Sequence, residues 1–139
     1  MVLCLDVIEH LHTSPKKILA EARRVLKPGG KLILTTPNLT TLKNRLYMLF
    51  GRTVYTDLDY WYNSEPFFGH VREYTVKEVK SILTQQKFRL DLFKLSNSHQ
   101  IYILKDFKFR PYTFLMMFYL MITAFIPNFR YTMITVSSK

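Results

Sequence analysis

"TSPKKILAEARRVLKPGGKLILTT", residues 13–36, decides the fold. Ser14 is a good helix N-cap and Pro15 suits the first helical position, where its missing N–H costs nothing. Ile18, Leu19, Ala22, Val25 and Leu26 recur at helical spacing and predict one apolar face. "KPGG" then stops the helix, because Pro28 cannot continue it and Gly29 and Gly30 tolerate positive φ. The run "KLILTT" is short, apolar and β-branched, which predicts a strand buried on both faces. Upstream, residues 2–8 read as another buried strand. Strand, helix and strand with short links make a βαβ unit, so the two strands are expected to be parallel with a right-handed crossover. Their C-terminal ends then share one edge of the sheet. Asp6 to His10 and Thr35 to Asn38 meet at that lip, where open α/β sheets bind ligands.

The rest of the chain follows from local signals. Leu42, Leu46 and Leu49 predict a helix over 39–50. Residues 51–74 lack periodicity but carry Trp61 and six other aromatics, too apolar for a disordered linker and suited to a lid, with 55–68 at its centre. "TVKE" predicts a capping box in which Thr75 caps the helix and Glu78 reaches back. "FRLDLFKL" alternates at Phe88, Leu90 and Leu92 as a strand with one wetter face. "YTFLMMFYLMITAFI", residues 112–126, is apolar but bracketed by Pro111 and Pro127. A spanning helix needs about 20 apolar residues, so this one is expected to pack on the strand of Leu90 and Leu92 or to sit at an interface. Residues 131–139 close as a final strand.

The 139 residues fit one domain, with an apolar helical insertion at 111–127, and the 48% hydrophobic content suffices for a core. A net charge of +10 suits an anionic partner or a solvated basic face; with no long basic run, nucleic acid is the weaker expectation. A single cysteine, Cys4, excludes an internal disulfide and fits a reducing, cytoplasmic compartment. No secretory leader pattern is visible.

In order, "LCLDVIEHLHTSPKKILAEARRVLKPGGKLILTTPN" and "GHVREYTVKEVKSILTQQKF" resemble the second half of class I S-adenosylmethionine-dependent methyltransferases, of the ubiquinone-type O-methyltransferase or type 11 subgroup. The resemblance covers most of residues 2–92. It implies an α/β, Rossmann-like sheet comprising the family's strands four to seven. The family's glycine-rich loop and ribose-binding acid have no counterpart here, so the expectation is a truncated domain, the C-terminal half. Residues 2–7 would then form an exposed apolar edge, open to dimerisation. Lys87 stands where the family usually has glycine, which implies only a change of cap.

"LDVIEHLH", residues 5–12, places Asp6, Glu9, His10 and His12 at the lip. Three readings stay open. Glu9 and His10 hold the loop and cap the helix; or Leu5, Asp6 and Val7 wall the S-adenosylmethionine pocket; or Asp6, Glu9, His10 and His70 hold a divalent metal. The third is implied by the Glu-x-x-Glu-His motif of small-RNA 2′-O-methyltransferases and the acidic-His cluster of ubiquinone-type enzymes. Without metal, His10 or His70 would be the general base. His12 and His99 match no motif position. Arg72, Glu73 and Tyr74 either line the acceptor side or form a surface pair. The functional expectation is methyl transfer to an oxygen of a small-molecule or lipid-like acceptor. The alternatives are an inactive fragment or binding module, and a protein touching the membrane peripherally through 112–126.

Overall fold

A computed structural model of the chain describes the backbone of residues 1–97 and 111–139, and the side chains of all of these except 111–113. The βαβ unit is present. Strand β1 (Val2–Leu5) pairs in parallel with β2 (Lys31–Pro37), Val2 opposite Leu32 and Leu5 opposite Thr35. Helix α1 (Lys16–Val25) makes the crossover. It begins one residue later than expected. Pro15 is the cap residue, and the Ser14 hydroxyl accepts from the Lys16 N–H at 3.3 Å. Leu19, Ala22 and Leu26 are buried, whereas Ile18 and Val25 lie toward solvent. In the turn after α1, Gly29 has φ +72°. At Gly30 a Cβ would stand 2.8 Å from the Lys27 carbonyl oxygen, so that glycine is required by space rather than by φ.

The first strand ends at Leu5, not at residue 8. Asp6 turns the chain at φ 51°, a left-handed conformation that Asp tolerates better than most residues. Thr35 holds it there. The Asp6 N–H donates to Thr35 Oγ1 at 3.0 Å, and Thr35 Oγ1 donates to Asp6 Oδ1 at 2.9 Å. A single 3-10 turn follows at Ile8–His10, and it swings Ile8 and Glu9 into the interior.

Helix α2 (Leu42–Leu49) is capped by Thr41, whose hydroxyl accepts from the Asn44 N–H. Its leucines do not build core: none of its residues is buried, and Leu49 is 74% exposed. Helix α3 (Leu58–Asn63), capped by Asp57, is the one helix within 51–74 among the described residues. Helix α4 (Val76–Gln85) carries the full capping box, Thr75 accepting from the Glu78 N–H and Glu78 accepting from the Thr75 N–H at 2.8 Å. That backbone bond, with Arg72 at 2.7 Å, holds the Glu78 carboxyl below its ordinary range. Glu78→Ala is expected to cost about 1 kcal/mol at pH 7. Because the folded pKa is lowered, this contribution is full above the unfolded value and lost as pH falls through the folded one. Urea melts of parent and variant are therefore expected to converge in acid.

Past α4 the chain reverses at Lys87, φ 58°. The Lys87 N–H donates to the Thr84 carbonyl at 2.8 Å and the Phe88 N–H to the Leu83 carbonyl at 3.0 Å. This pair of bonds is a Schellman close, which favours glycine at the left-handed position. Lys87→Gly is expected to raise stability by roughly 1 kcal/mol, the relieved strain outweighing the added freedom of the unfolded chain. Thermal melts would show it as a Tm rise of several degrees.

Strand β3 (Arg89–Ser96) departs from simple alternation. A bulge places Leu90 opposite Ser137 but Leu92 opposite Val136, leaving Asp91 as the extra residue. Leu90, Phe93 and Leu95 therefore face the core, and Leu92 turns outward, 50% exposed. Asp91 is fixed there by Lys31 at 2.7 Å. Helix α5 (Pro111–Phe125) leads into β4 (Thr132–Ser138), which inserts antiparallel between β2 and β3 and gives the order β1-β2-β4-β3.

The two sheet faces differ. On one, Cys4, Leu32, Leu34, Met133 and Leu95 join Leu19, Ala22, Val79 and Leu83 of α1 and α4 in a single core. The register puts Leu3, Ile33, Val136 and Leu92 in one row across the other face. No helix of the core lies on that row among the described residues, and Leu3 is 55% exposed. Strand β2 is thus sealed on one face only, and β1 is an open edge.

Helix α5 is anchored beside the exit of β3, the strand of Leu90 and Leu92. It is pinned at its C-terminal end, where the buried Thr123 hydroxyl accepts from Asn97 Nδ2 at 2.6 Å. Arg130 donates to the carbonyls of Thr123, Ala124 and Leu95. No helix among the described residues is long and apolar enough to cross a membrane. Lys105, Lys108, Arg110 and His99 lie outside the described residues.

Candidate functional site at the sheet lip

Parallel pairing brings the exits of β1 and β2 side by side, and the chain beyond the lid returns to them. Asn38 bridges Tyr74 in parallel, and the Leu39 N–H donates to the Tyr74 carbonyl at 2.9 Å. The Val71 and Arg72 N–H groups donate to the Glu9 carbonyl at 2.7 and 3.1 Å. Those bonds draw His70 across the long loop to the 3-10 turn. The rings of His10 and His70 meet edge to face, centroids 4.8 Å apart.

Glu9, His10 and His70 each offer one ligand atom, and the three atoms lie within 4.8 Å of one another. Glu9 is fully buried. Its Oε2 accepts from the Thr36 hydroxyl at 2.9 Å, while Oε1 is buried with no hydrogen-bond partner among the described residues. Burial pushes the Glu9 carboxyl up from its ordinary value and Asp6 adds to this, against the opposing pull of its own backbone bond, Thr36 and His70. His10 Nδ1 lies 3.1 Å from the Gly69 carbonyl oxygen, and His70 Nδ1 lies 2.9 Å from Glu73 Oε1. Both partners accept, so Nδ1 is the donor in each ring, and in the neutral form the lone pair lies on Nε2.

These donors fit a divalent ion. Carboxylate oxygen and imidazole nitrogen suit Mg, Mn or Zn, and an orphaned buried oxygen is what an ion would satisfy. Bonds of about 2.0–2.2 Å require ligand atoms no more than ~4.4 Å apart, so the side chains would close by a few tenths of an ångström. Asp6 is not in this group; its Oδ1 accepts from the Thr35 hydroxyl.

Leu5, Asp6, Glu9, Thr35, Pro37, His70 and Tyr131 line a cleft of about 520 Å³ at the lip, within the size range of small-molecule sites. Val7 is not among its lining residues and packs against the core. A second cleft, about 890 Å³, lies under the aromatic segment, between Tyr55, Leu58, Trp61, Phe67 and His70. His70 borders both. His12 lines the second cleft but not the lip cleft, and is exposed.

Three contributions were not read from the sequence, although Thr36 and Glu73 were placed near the site. Thr36 is a strand residue like its neighbours until the structure aims it at Glu9. Glu73, spaced three residues from His70, orients that ring; the spacing was the available signal. Tyr131 reaches the cleft from the far end of the chain, and burial with Glu73, Asp6 and Glu9 nearby pushes its phenol up. Arg72 pairs with Glu78, and Tyr74 is buried with its hydroxyl 3.5 Å from the Ile8 carbonyl, so neither is a free acceptor-side group.

Comparison with solved structures finds the same fold. Phosphoethanolamine N-methyltransferase 2 of Haemonchus contortus, in complex with S-adenosyl-L-methionine, aligns over 99% of this chain at 14% identity, TM-score 0.50. A SAM-dependent methyltransferase from Archaeoglobus fulgidus aligns over 99% at 17% identity, TM-score 0.51. The chain spans 32% and 58% of the lengths of those two proteins. No curated protein sequence matches it. Residues 1–92, which contain β1, the 3-10 turn, β2 and His70, match the family described as "Methyltransferase domain". The chain belongs to the methyltransferase domain family.

Proposed function

We propose that this chain supplies the acceptor side of an S-adenosylmethionine-dependent methyltransferase that methylates an oxygen of a small-molecule or lipid-like acceptor. The observation that carries the reading is His70, which stands between the lip cleft and the aromatic-lined cleft with Nε2 bare. S-adenosylmethionine, when bound, would supply the methyl group to the acceptor oxygen. The hydroxyl proton passes to His70 Nε2. Glu73, on Nδ1, fixes the tautomer and stabilises the imidazolium that forms. Methyl transfer needs alignment and exclusion of water more than a covalent intermediate. The segment around Trp61 would provide the second, and Leu5 and Asp6 would wall the cofactor's methionine end. Where a divalent ion is bound, Glu9, His10 and His70 would hold it, and it would lower the pKa of the acceptor hydroxyl.

A second reading, a module that binds without catalysis, is favoured by the row of Leu3, Ile33, Val136 and Leu92, over which no core helix lies among the described residues, and by the open edge at β1. In both readings that edge is where a second half-sheet or a second copy would pair. Calorimetric titration of S-adenosylmethionine separates them. The 139-residue chain is expected to bind weakly, and a protein in which a glycine-loop half completes the sheet is expected to bind tightly and turn over. Low-micromolar binding to the chain alone would overturn the acceptor-half assignment. Tight binding without methyl transfer in the completed protein would leave the binding module.

A further inference from the structure

We propose that the outer face of α5, together with the end of α2, docks on a bilayer surface bearing anionic headgroups. Among the described residues, the hydrogen bonds that hold the helix run from its inner side, through Tyr119, Thr123 and the Arg130 bonds. Leu115, Met117, Phe118, Met121 and Phe125 are 51–82% exposed. At about 100° per residue they fill one arc of roughly 160° with no polar side chain among them. An uninterrupted apolar face of that size is not left to water without a partner.

A second patch lies on α2, which touches the chain just beyond α5. Arg45 of α2 stacks 5.3 Å over the Phe129 ring, just beyond the end of α5. From there α2 runs to Met48, Leu49 and Phe50, 65–75% exposed. Lys43 and Arg52 sit over the Tyr47 ring at 5.1 and 5.9 Å. Cations around an aromatic at the border of an apolar patch suit the headgroup layer.

Charge selects the occupant. Residues 22–56 and 107–139 contain no Asp or Glu, and the whole chain carries +10. A second copy would bring the same carboxylate-free surface and be repelled, whereas acidic lipid complements it. A 15-residue helix is about 22 Å long, short of the ~30 Å hydrocarbon core. It would therefore lie in the interface rather than cross it.

Vesicle co-sedimentation of the full 139-residue chain tests this. Binding to vesicles of 70% phosphatidylcholine and 30% phosphatidylglycerol is expected to exceed binding to phosphatidylcholine alone by at least tenfold and to weaken with salt. Lys43→Ala/Arg52→Ala is expected to lower it about 30-fold, a factor of roughly five for each basic side chain. Leu115→Glu/Phe118→Glu is expected to abolish it while leaving the circular dichroism spectrum unchanged, since both sites face solvent. Vesicle binding that survives the Leu115/Phe118 change, or no binding by the parent, overturns the proposal. Self-association that this double variant dissolves, without vesicle binding, would assign the face to a second copy instead.

Discussion

In a methyltransferase whose cofactor site is complete, His70→Ala is expected to lower kcat for methyl transfer by about 10²–10⁴-fold, with little change in KM. The ring is placed for proton transfer rather than for binding bulk. One nitrogen is tied to Glu73 at 2.9 Å, and the residue lines both clefts. Glu73→Gln would keep the ring in place but weaken its hold on the tautomer, and a loss of about 10–100-fold is expected. His10→Ala discriminates between base and metal chemistry. If His70 acts alone as base, His10 contributes position only, and added divalent ion changes nothing. If Glu9, His10 and His70 act as one ligand set, the losses at His10 and His70 are similar and non-additive, and chelation of the parent reproduces them. Equal rates for His70→Ala and parent, with no ion dependence, would leave only the loop-holding and pocket-wall readings of this cluster.

The contrast between what local signals carried and what they could not has a physical basis. The βαβ unit and the capping box rest on contacts within a few tens of residues: the α1 face, the KPGG turn, Thr75 with Glu78. They were legible because propensity, spacing and turn chemistry agree there. The bulge at Asp91 was not, because it is imposed by pairing with β4, whose Ser138 and Val136 lie over 40 residues away. It reversed the side on which Leu92 was expected. The helix expected over 39–50 is present at Leu42–Leu49, but none of its residues is buried. At the site, Asp6 to His10 could be placed at the lip by topology. His70 could be placed only through the family resemblance, since two backbone bonds to the Glu9 carbonyl decide its position. Asp6 matched the ligand pattern in sequence, yet a left-handed turn gives its carboxylate to Thr35.

Glu9→Gln is expected to make the protein more stable and the enzyme less active, and that combination distinguishes a functional carboxylate from a structural one. Glu9 has no exposed surface. One oxygen has Thr36; the other has no partner among the described residues. Burying a charged group short of its hydrogen bonds costs roughly 1–3 kcal/mol or more. Consistent with that, the folded carboxyl is pushed up by burial. For an acid whose folded pKa is raised, the native state binds the proton more tightly than the unfolded chain. Stability is then full below the unfolded value and declines as pH rises toward the folded one. In metal-free buffer at pH 7, Glu9→Gln removes this penalty. Its amide oxygen can accept from Thr36, and its NH2 can donate toward the bare Nε2 atoms of His10 and His70. A gain of about 1–3 kcal/mol is expected in urea melts, shrinking as the pH falls below the ordinary carboxylate range, where the parent is protonated as well. The same amide fills the space between the imidazoles and no longer offers an anionic oxygen, so methyl transfer in the completed enzyme is expected to fall by at least 10²-fold. If Glu9 only braced the loop, the outcome would reverse: neutralising it would destabilise the fold at pH 7 and leave turnover per folded molecule unchanged.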